Sequence, residues 1–164
     1  MGLPVDEKRF VTASTDETIA FGARLGAALE PGDILVLTGD LGAGKTQLTK
    51  GIASALGVED DVTSPTFNIL MIYEGAQMPL YHFDLYRLDD PDQLEDIGLY
   101  EMLDGDGVCV IEWGEQFADE IGSERLDVYL TRLDAQAAAG EEPPREVRLV
   151  AHGPRAEELV AAVA

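Results

Sequence analysis

A glycine-rich stretch at residues 39–46 constrains this chain more than any other feature. It reads GDLGAGKT and matches the pattern G-x-x-x-x-G-K-[ST] at Gly39, Gly44, Lys45 and Thr46. Glycines let backbone N–H groups turn toward phosphate oxygens at a helix N-terminus, which favours anions. The lysine supplies positive charge to the β- and γ-phosphates, and the threonine hydroxyl can bind magnesium. The pattern therefore predicts a nucleoside triphosphate site.

The residues on either side of this stretch support the same interpretation. The apolar run at 34–37 predicts a buried strand that leads into the loop. A helix is predicted over 45–56, with Gly57 at its end. A strand, a glycine-rich loop and a helix in this order are the context in which the pattern binds phosphate.

Further strand patterns complete the predicted sheet. Two strands are predicted at 67–73 and 79–85, joined by a turn, and a fully apolar run predicts a third at 108–111. Alternating apolar residues at 126–130 and 147–151 predict a closing antiparallel pair. The fold class expected is α/β, the three-layer P-loop NTPase fold, with a mostly parallel sheet and an added antiparallel hairpin.

Length and composition indicate one domain over residues 1–164. A mobile loop is expected at 134–145, which is rich in Ala, Glu and Pro. No apolar run approaches the roughly 18 residues of a membrane span, and residues 1–10 lack the apolar segment of a signal peptide. Because the one cysteine, Cys109, cannot form an internal disulfide, we expect a cytoplasmic protein.

A magnesium–nucleotide site also needs a carboxylate at a strand end near the loop. Glu112 follows the run at 108–111, and Asp84 follows the apolar segment 80–83. We interpret Glu112 as the metal-binding carboxylate and both residues, with Lys45, as candidates for catalysis. The sequence leaves the division of labour between the two carboxylates open. An ordinary acidic residue at a strand end is the alternative for each.

Three hydroxyl residues, Thr63, Ser64 and Thr66, lie in a predicted loop after the P-loop helix. Many P-loop proteins keep a phosphate-sensing switch there, and a plain turn is the alternative. Trp113 follows the candidate carboxylate directly and could equally be a core residue. His82 and Cys109 lie in apolar runs and are interpreted as packing residues.

The charge of the chain excludes one class of function. It has 32 acidic and 11 basic residues, a formal net charge of −21. Nucleic-acid binding depends on Lys and Arg that neutralise phosphates, so no direct binding of RNA or DNA is expected. The acidity indicates either solubility in a salty cytoplasm or docking onto a basic protein surface.

Taken together, the motifs resemble the TsaE family, also called YjeE, of ATPases needed for threonylcarbamoyladenosine modification of bacterial tRNA. Order and spacing agree across residues 14–130. The motifs that carry the resemblance are PGD at 31–33, GDLGAGKT at 39–46, TSPTF at 63–67, YHFDLYRL at 81–88 and IEWGE at 111–115.

The resemblance implies ATP and Mg²⁺ as cofactors and the proteins TsaD and TsaB as partners. It places Lys45 on phosphate, Thr46 and Glu112 on magnesium, and Asp84 near the attacking water. The candidate nucleotide-binding residues are Gly39, Asp40, Leu41, Gly42, Ala43, Gly44, Lys45, Thr46, Gln47, Ser64, Thr66 and Trp113. Departures from the family pattern are small: Asp40, Gln47 and Gly114 stand where Glu, Thr and Pro are frequent.

Other classes fit less well. A small P-loop kinase would use several arginines of a lid, yet no Lys or Arg lies between Lys50 and Arg87. A GTPase would need a lysine in its guanine-reading motif, and the nearest stretch, residues 131–134, lacks one. A nucleotide-gated assembly module that does not require hydrolysis stays open.

The charge generates the first testable prediction. The isolated protein should not retain tRNA at near-physiological salt and up to about 10 μM protein, because few phosphates could be neutralised. A gel-shift titration at two salt concentrations measures this. Micromolar binding that weakens steeply with added salt would contradict the prediction.

Overall fold

The fold was analysed in a computed structural model that describes residues 7–39, 43–63, 69–103, 105–137 and 142–163. Seven strands form one sheet in the order β1-β7-β6-β2-β5-β4-β3. The strands are β1 Glu7–Thr12, β2 Ile34–Thr38, β3 Leu70–Glu74, β4 Pro79–Asp84, β5 Val108–Glu112, β6 Arg125–Arg132 and β7 Arg145–His152. The helices are α1 Thr15–Ala27, α2 Lys45–Ala55, α3 Asp92–Asp96, α4 Leu99–Leu103, α5 Ala118–Ile121 and α6 Pro154–Val163.

Helices cover both faces of the sheet. Successive side chains of a strand point to opposite faces, and β2 shows this directly. Leu35 and Leu37 belong to the core cluster that contains the apolar residues of α1, α2 and α6, whereas Val36 belongs to a second cluster with Leu94 and Ile121. The three-layer α/β arrangement predicted from the sequence is therefore observed.

The prediction of a mostly parallel sheet holds only for its centre. Strands β4, β5, β2 and β6 are parallel neighbours, and β5 is buried along its whole length. The other three pairings among the described strands, β3–β4, β6–β7 and β1–β7, are antiparallel. The sheet is mixed because antiparallel strands flank its parallel centre on both sides.

Most predicted elements are confirmed, with shifted ends. The helix predicted over 45–56 ends at Ala55, and Gly57 follows with a positive φ of 79°. Strand β3 begins at Leu70, after Ile69 at a φ of 61°, and residues 67–68 lie outside the described ranges. The expected loop at 134–145 contains a 3₁₀ turn, Asp134–Gln136, and meets β7 at Arg145.

Neither β1 nor α6 was predicted from the sequence. Strand β1 is a partly exposed edge strand with three charged residues, so its apolar pattern is weak. Helix α6 is fastened to the start of β2, where Arg155 donates to both carboxylate oxygens of Asp33 at 2.9 and 2.8 Å. No helix in the described part of the chain is long and apolar enough to cross a membrane.

Close contact between α1 and α2 holds the helix that begins at Lys45. Gly51 of α2 lies against the backbone of α1, and an added Cβ would overlap the carbonyl oxygen of Ile19. Gly22 of α1 is equally close to the carbonyl oxygen of Leu48. Because backbone atoms cannot move aside as a side chain can, the two helices depend on glycine here.

Gly51→Ala should therefore destabilise the protein by about 1–3 kcal/mol, because overpacking outweighs the better helix propensity of alanine. Urea unfolding monitored by circular dichroism measures the change. Lys50→Ala, at the exposed neighbouring position of α2, should stay within about 0.5 kcal/mol of the wild type. Equal stability of Gly51→Ala and the wild type would contradict the packing argument.

Candidate functional site

The candidate site lies at the carboxyl ends of the central parallel strands. Strand β2 ends at Thr38, directly before the glycine-rich loop, and α2 begins after it at Lys45. In the strand register Glu112 is paired with Leu37 on one side and with Asp84 on the other. The sheet therefore brings both predicted carboxylates to the edge that carries the glycine-rich loop.

A buried ion pair joins α2, the helix that follows the glycine-rich loop, to β5. Lys45 Nζ lies 3.6 Å from Glu112 Oε1, and the two side chains are only 9% and 4% exposed. The ammonium also lies 4.7 Å from the centroid of the Trp113 ring. Since an unpaired buried charge is costly, these two contacts account for the position of the lysine side chain.

His82 binds the other oxygen of the same carboxylate. Its Nε2 lies 2.6 Å from Glu112 Oε2, and its side chain is fully buried. The packing interpretation was right about the burial of His82 and missed this hydrogen bond. The period of two along β4, which puts His82 and Asp84 on one face, was the available signal.

Asp84 is fixed at the end of β4 by backbone contacts. Its Oδ1 accepts a hydrogen bond from the Tyr86 N–H at 3.0 Å, and its own N–H donates to the Ile69 carbonyl at 2.7 Å. The residue is only 5% exposed. Asp84 and Glu112 thus lie side by side on neighbouring strand ends, an arrangement compatible with either division of roles.

Trp113 adopts an unusual backbone conformation. Its φ is 60°, in the left-handed region that costs a non-glycine residue energy. The ring is half-buried between Lys45 and Tyr86, whose ring centroid is 4.9 Å away. Tyr86 itself is 63% exposed. The tryptophan therefore forms part of the site wall and is not an interior core residue.

Two cavities flank the start of the glycine-rich loop, and Thr38 and Gly39 line both. One holds about 150 Å³ and is completed by Leu37, Lys45, Trp113 and Glu115. The other holds about 410 Å³, a volume within the range of small-molecule sites, and is completed by Ala43, Tyr129, Leu130, Thr131, Arg132 and Asp134.

The remaining predicted binding residues fall into two groups. Gly44 precedes α2 at a φ of 106°, Ala43 is buried, and Thr46 and Gln47 are half-buried in the first turn of the helix. The others lie outside the described residues: Asp40, Leu41, Gly42, Ser64 and Thr66.

The oxygen donors present suit magnesium. The hydroxyl of Thr46 and the carboxylates of Glu112 and Asp84 are the hard ligands that this ion prefers. Within the described ranges no group of three or more His, Cys, Asp or Glu side chains is placed to hold a metal ion. An ion held by a hydroxyl and one or two carboxylates needs further oxygens, which nucleotide phosphates supply in P-loop proteins.

Cys109, three residues before Glu112, has no part in this chemistry. Its side chain is buried in β5 and donates to the Met102 carbonyl at 3.4 Å. Burial raises the pKa of the thiol to about 12, so it stays protonated at neutral pH. The packing interpretation of this cysteine is confirmed.

Comparison with known proteins gives a consistent result. A family model described as threonylcarbamoyl adenosine biosynthesis protein TsaE matches residues 12–140. Two relatives are named tRNA threonylcarbamoyladenosine biosynthesis protein TsaE. The one from Bacillus subtilis is 43% identical over 148 residues, 90% of this chain and 88% of the relative. The one from Treponema pallidum is 47% identical over 125 residues, 76% of this chain and 92% of the relative.

A solved structure is similar as well. The crystal structure of Bacillus subtilis YdiB superimposes with a TM-score of 0.75 at 36% sequence identity, covering 96% of this chain and 93% of that chain. The similarity extends over nearly the whole of both chains.

Proposed function

The chain belongs to the TsaE family of threonylcarbamoyl adenosine biosynthesis proteins, and from this premise we propose that it binds and hydrolyses ATP in support of threonylcarbamoyladenosine modification of tRNA. The observation that carries the proposal is the buried Lys45–Glu112 pair, 3.6 Å apart, at the strand ends beside the glycine-rich loop. It joins a phosphate-binding cation to a candidate metal-binding carboxylate.

Nucleotide binding would begin with the loop and the N-terminus of α2. Backbone N–H groups there attract phosphate oxygens, and Lys45 adds a full positive charge. Gln47, Ser64, Thr66 and Trp113 are the further proposed contacts. The cavity of about 410 Å³ beside Gly39 supports this proposal, because it has room for part of a nucleoside next to the phosphate loop.

Magnesium, when bound, would neutralise charge that develops on the β- and γ-phosphates. Thr46 and Glu112 are the residues proposed to hold it. Asp84, buried beside Glu112, is proposed to orient the attacking water. Phosphoryl transfer depends mainly on positioning and charge stabilisation. The strand ends would supply the positioning, and Lys45 and the metal the charge stabilisation.

The proposed partners are the proteins TsaD and TsaB, and the proposed location is the cytoplasm. A chain with a net charge of −21 is poorly suited to hold tRNA, but it can dock on a protein that does. The solvent-facing rim formed by Trp113 and Tyr86 supports a partner contact beside the nucleotide site, since exposed aromatic rings favour protein interfaces.

A nucleotide-gated assembly module is the second candidate. Both oxygens of Glu112 already have partners, Lys45 and His82. Lys45 lies at Oε1, so a metal bound there would change this contact, and a site that changes with its ligands is what a nucleotide-gated module requires. The two candidates differ in whether hydrolysis is required.

Lys45→Ala should weaken ATP binding by about 10- to 100-fold, because a charge-assisted phosphate contact is lost. Thr46→Ala should chiefly reduce the magnesium-dependent part of the affinity. Calorimetric titration of ATP with and without the metal measures both effects. Lys50→Ala, on the exposed side of α2, is the matched control and should bind normally. Unchanged affinity in both site variants would refute nucleotide binding by this loop.

Glu112→Ala should retain much of its ATP affinity, because Lys45 and the loop remain, yet lose at least about 100-fold in turnover. Asp84→Asn should behave similarly if Asp84 orients water, and should instead weaken magnesium binding if it holds the metal. The measurement is phosphate release alongside modified tRNA formed over many cycles by the reconstituted complex.

The exposed substitution Glu95→Gln on α3 controls for the loss of one negative charge. Many cycles at the normal rate by Glu112→Ala, without phosphate release, would replace hydrolysis with the nucleotide-gated function.

A further inference from the structure

The contact between His82 and Glu112 has a geometry that packing alone does not explain. The distance from Nε2 to Oε2 is 2.6 Å, at the short end of hydrogen bonds to a carboxylate. Both residues are buried, and His82 is inaccessible to solvent. A buried histidine needs a hydrogen-bond partner, and the partner of this one is the carboxylate that also contacts Lys45.

The partners of the ring fix its tautomer. An ionised carboxylate only accepts hydrogen bonds, so a hydrogen bond to it here requires the proton on Nε2. The other ring nitrogen, Nδ1, is buried and has no hydrogen-bond partner among the residues that the structure describes. An unfilled acceptor there is less costly than an unpaired N–H. In the Nε2–H tautomer the ring of His82 has a single N–H donor, and that donor is directed at Glu112.

The strand register explains how the histidine reaches the carboxylate. His82 is paired with Val110 and Asp84 with Glu112, so the ring extends diagonally from β4 to the next residue of β5 on the same face. The imidazole of His82 contacts Oε2 of Glu112, and Oε1 faces Lys45 at the start of α2. Only one oxygen of the carboxylate is thus presented to the glycine-rich loop.

We propose that His82 is a positioning residue that holds Glu112 through its Oε2, so that Oε1 faces the site proposed for the metal. This inference rests on the proposed ATPase function and adds a residue to it. Carboxylates that bind metals are commonly held by such outer hydrogen bonds, whose loss costs about 10- to 100-fold in metal affinity or activity.

Two substitutions separate positioning from packing. His82→Leu removes the donor and keeps an apolar side chain of similar size. His82→Gln keeps an N–H donor the same number of bonds from the backbone as Nε2. We expect His82→Leu to lose about 10-fold or more in kcat and in Mg²⁺ affinity, with the KM for ATP changed less than about 2-fold. His82→Gln should recover most of that loss.

The Mg²⁺ affinity can be measured without turnover. Trp113 is the chain's one tryptophan, and its ring lies 4.7 Å from Lys45. Its fluorescence should report Mg²⁺ titrated into the protein loaded with a non-hydrolysable ATP analogue. Phe83→Leu is the matched control: this buried neighbour on β4 belongs to the core cluster on the opposite face. It should lower the melting temperature and leave Mg²⁺ affinity and kcat unchanged.

The tautomer provides an independent test on the nucleotide-free protein. The chain has two histidines, so long-range ¹H–¹⁵N spectra of the wild type and His82→Gln assign the ring of His82. The spectra should show the proton on Nε2. A proton on Nδ1 alone would overturn the proposal, even if His82→Leu fails to fold.

The kinetic outcomes are equally decisive. Folded His82→Leu with normal Mg²⁺ affinity and kcat, or His82→Gln impaired as severely as His82→Leu, would show that His82 only fills the core. A wild-type protein that binds Mg²⁺ and nucleotide but never hydrolyses ATP would refute the proposed ATPase function. In that case the Mg²⁺ titrations alone would decide the role of His82.

Discussion

The buried contacts of Glu112 with Lys45 and His82 are the interaction on which the arrangement of the site depends. They connect three elements, because Lys45 begins α2, Glu112 ends β5 and His82 lies in β4. Removing one partner from a buried ion pair costs about 3–5 kcal/mol, since it leaves an uncompensated charge. A well-packed apolar replacement is often no less stable, so stability does not explain the cluster, and its position beside the glycine-rich loop does.

The rest of the fold keeps these three elements in register. The parallel strands β4, β5 and β2 place their carboxyl ends at one edge of the sheet. Gly22 and Gly51 let α1 and α2 approach until their backbones touch, which fixes where the loop helix begins. Antiparallel strands flank the parallel centre on both sides, and Arg155 of α6 donates a hydrogen bond to Asp33, directly before β2. The site is therefore built on rigid elements.

The chemistry of the surface complements that of the site. The positive charge of Lys45 is buried, whereas the net charge of −21 belongs to a chain whose acidic residues are mostly exposed. Such a surface repels nucleic acid and attracts basic protein surfaces. The aromatic pair of Trp113 and Tyr86 connects the two regions, since one ring touches Lys45 and the other faces solvent. A partner that docks there would contact the proposed nucleotide site directly.

The sequence by itself determined the elements with strong local signals. The glycine-rich loop with its strand and helix, the β3–β4 hairpin and the strands ending at Asp84 and Glu112 could all be predicted, because periodicity and turn chemistry are local. Only the tertiary structure decided the rest. The pairing of β1 with β7 and the hydrogen bond of His82 join residues distant in sequence. The alternating sequence pattern of a buried strand is the same whether a side chain only fills space or hydrogen-bonds a neighbour. The partner of His82 therefore becomes known only from the strand register, which brings the two residues together.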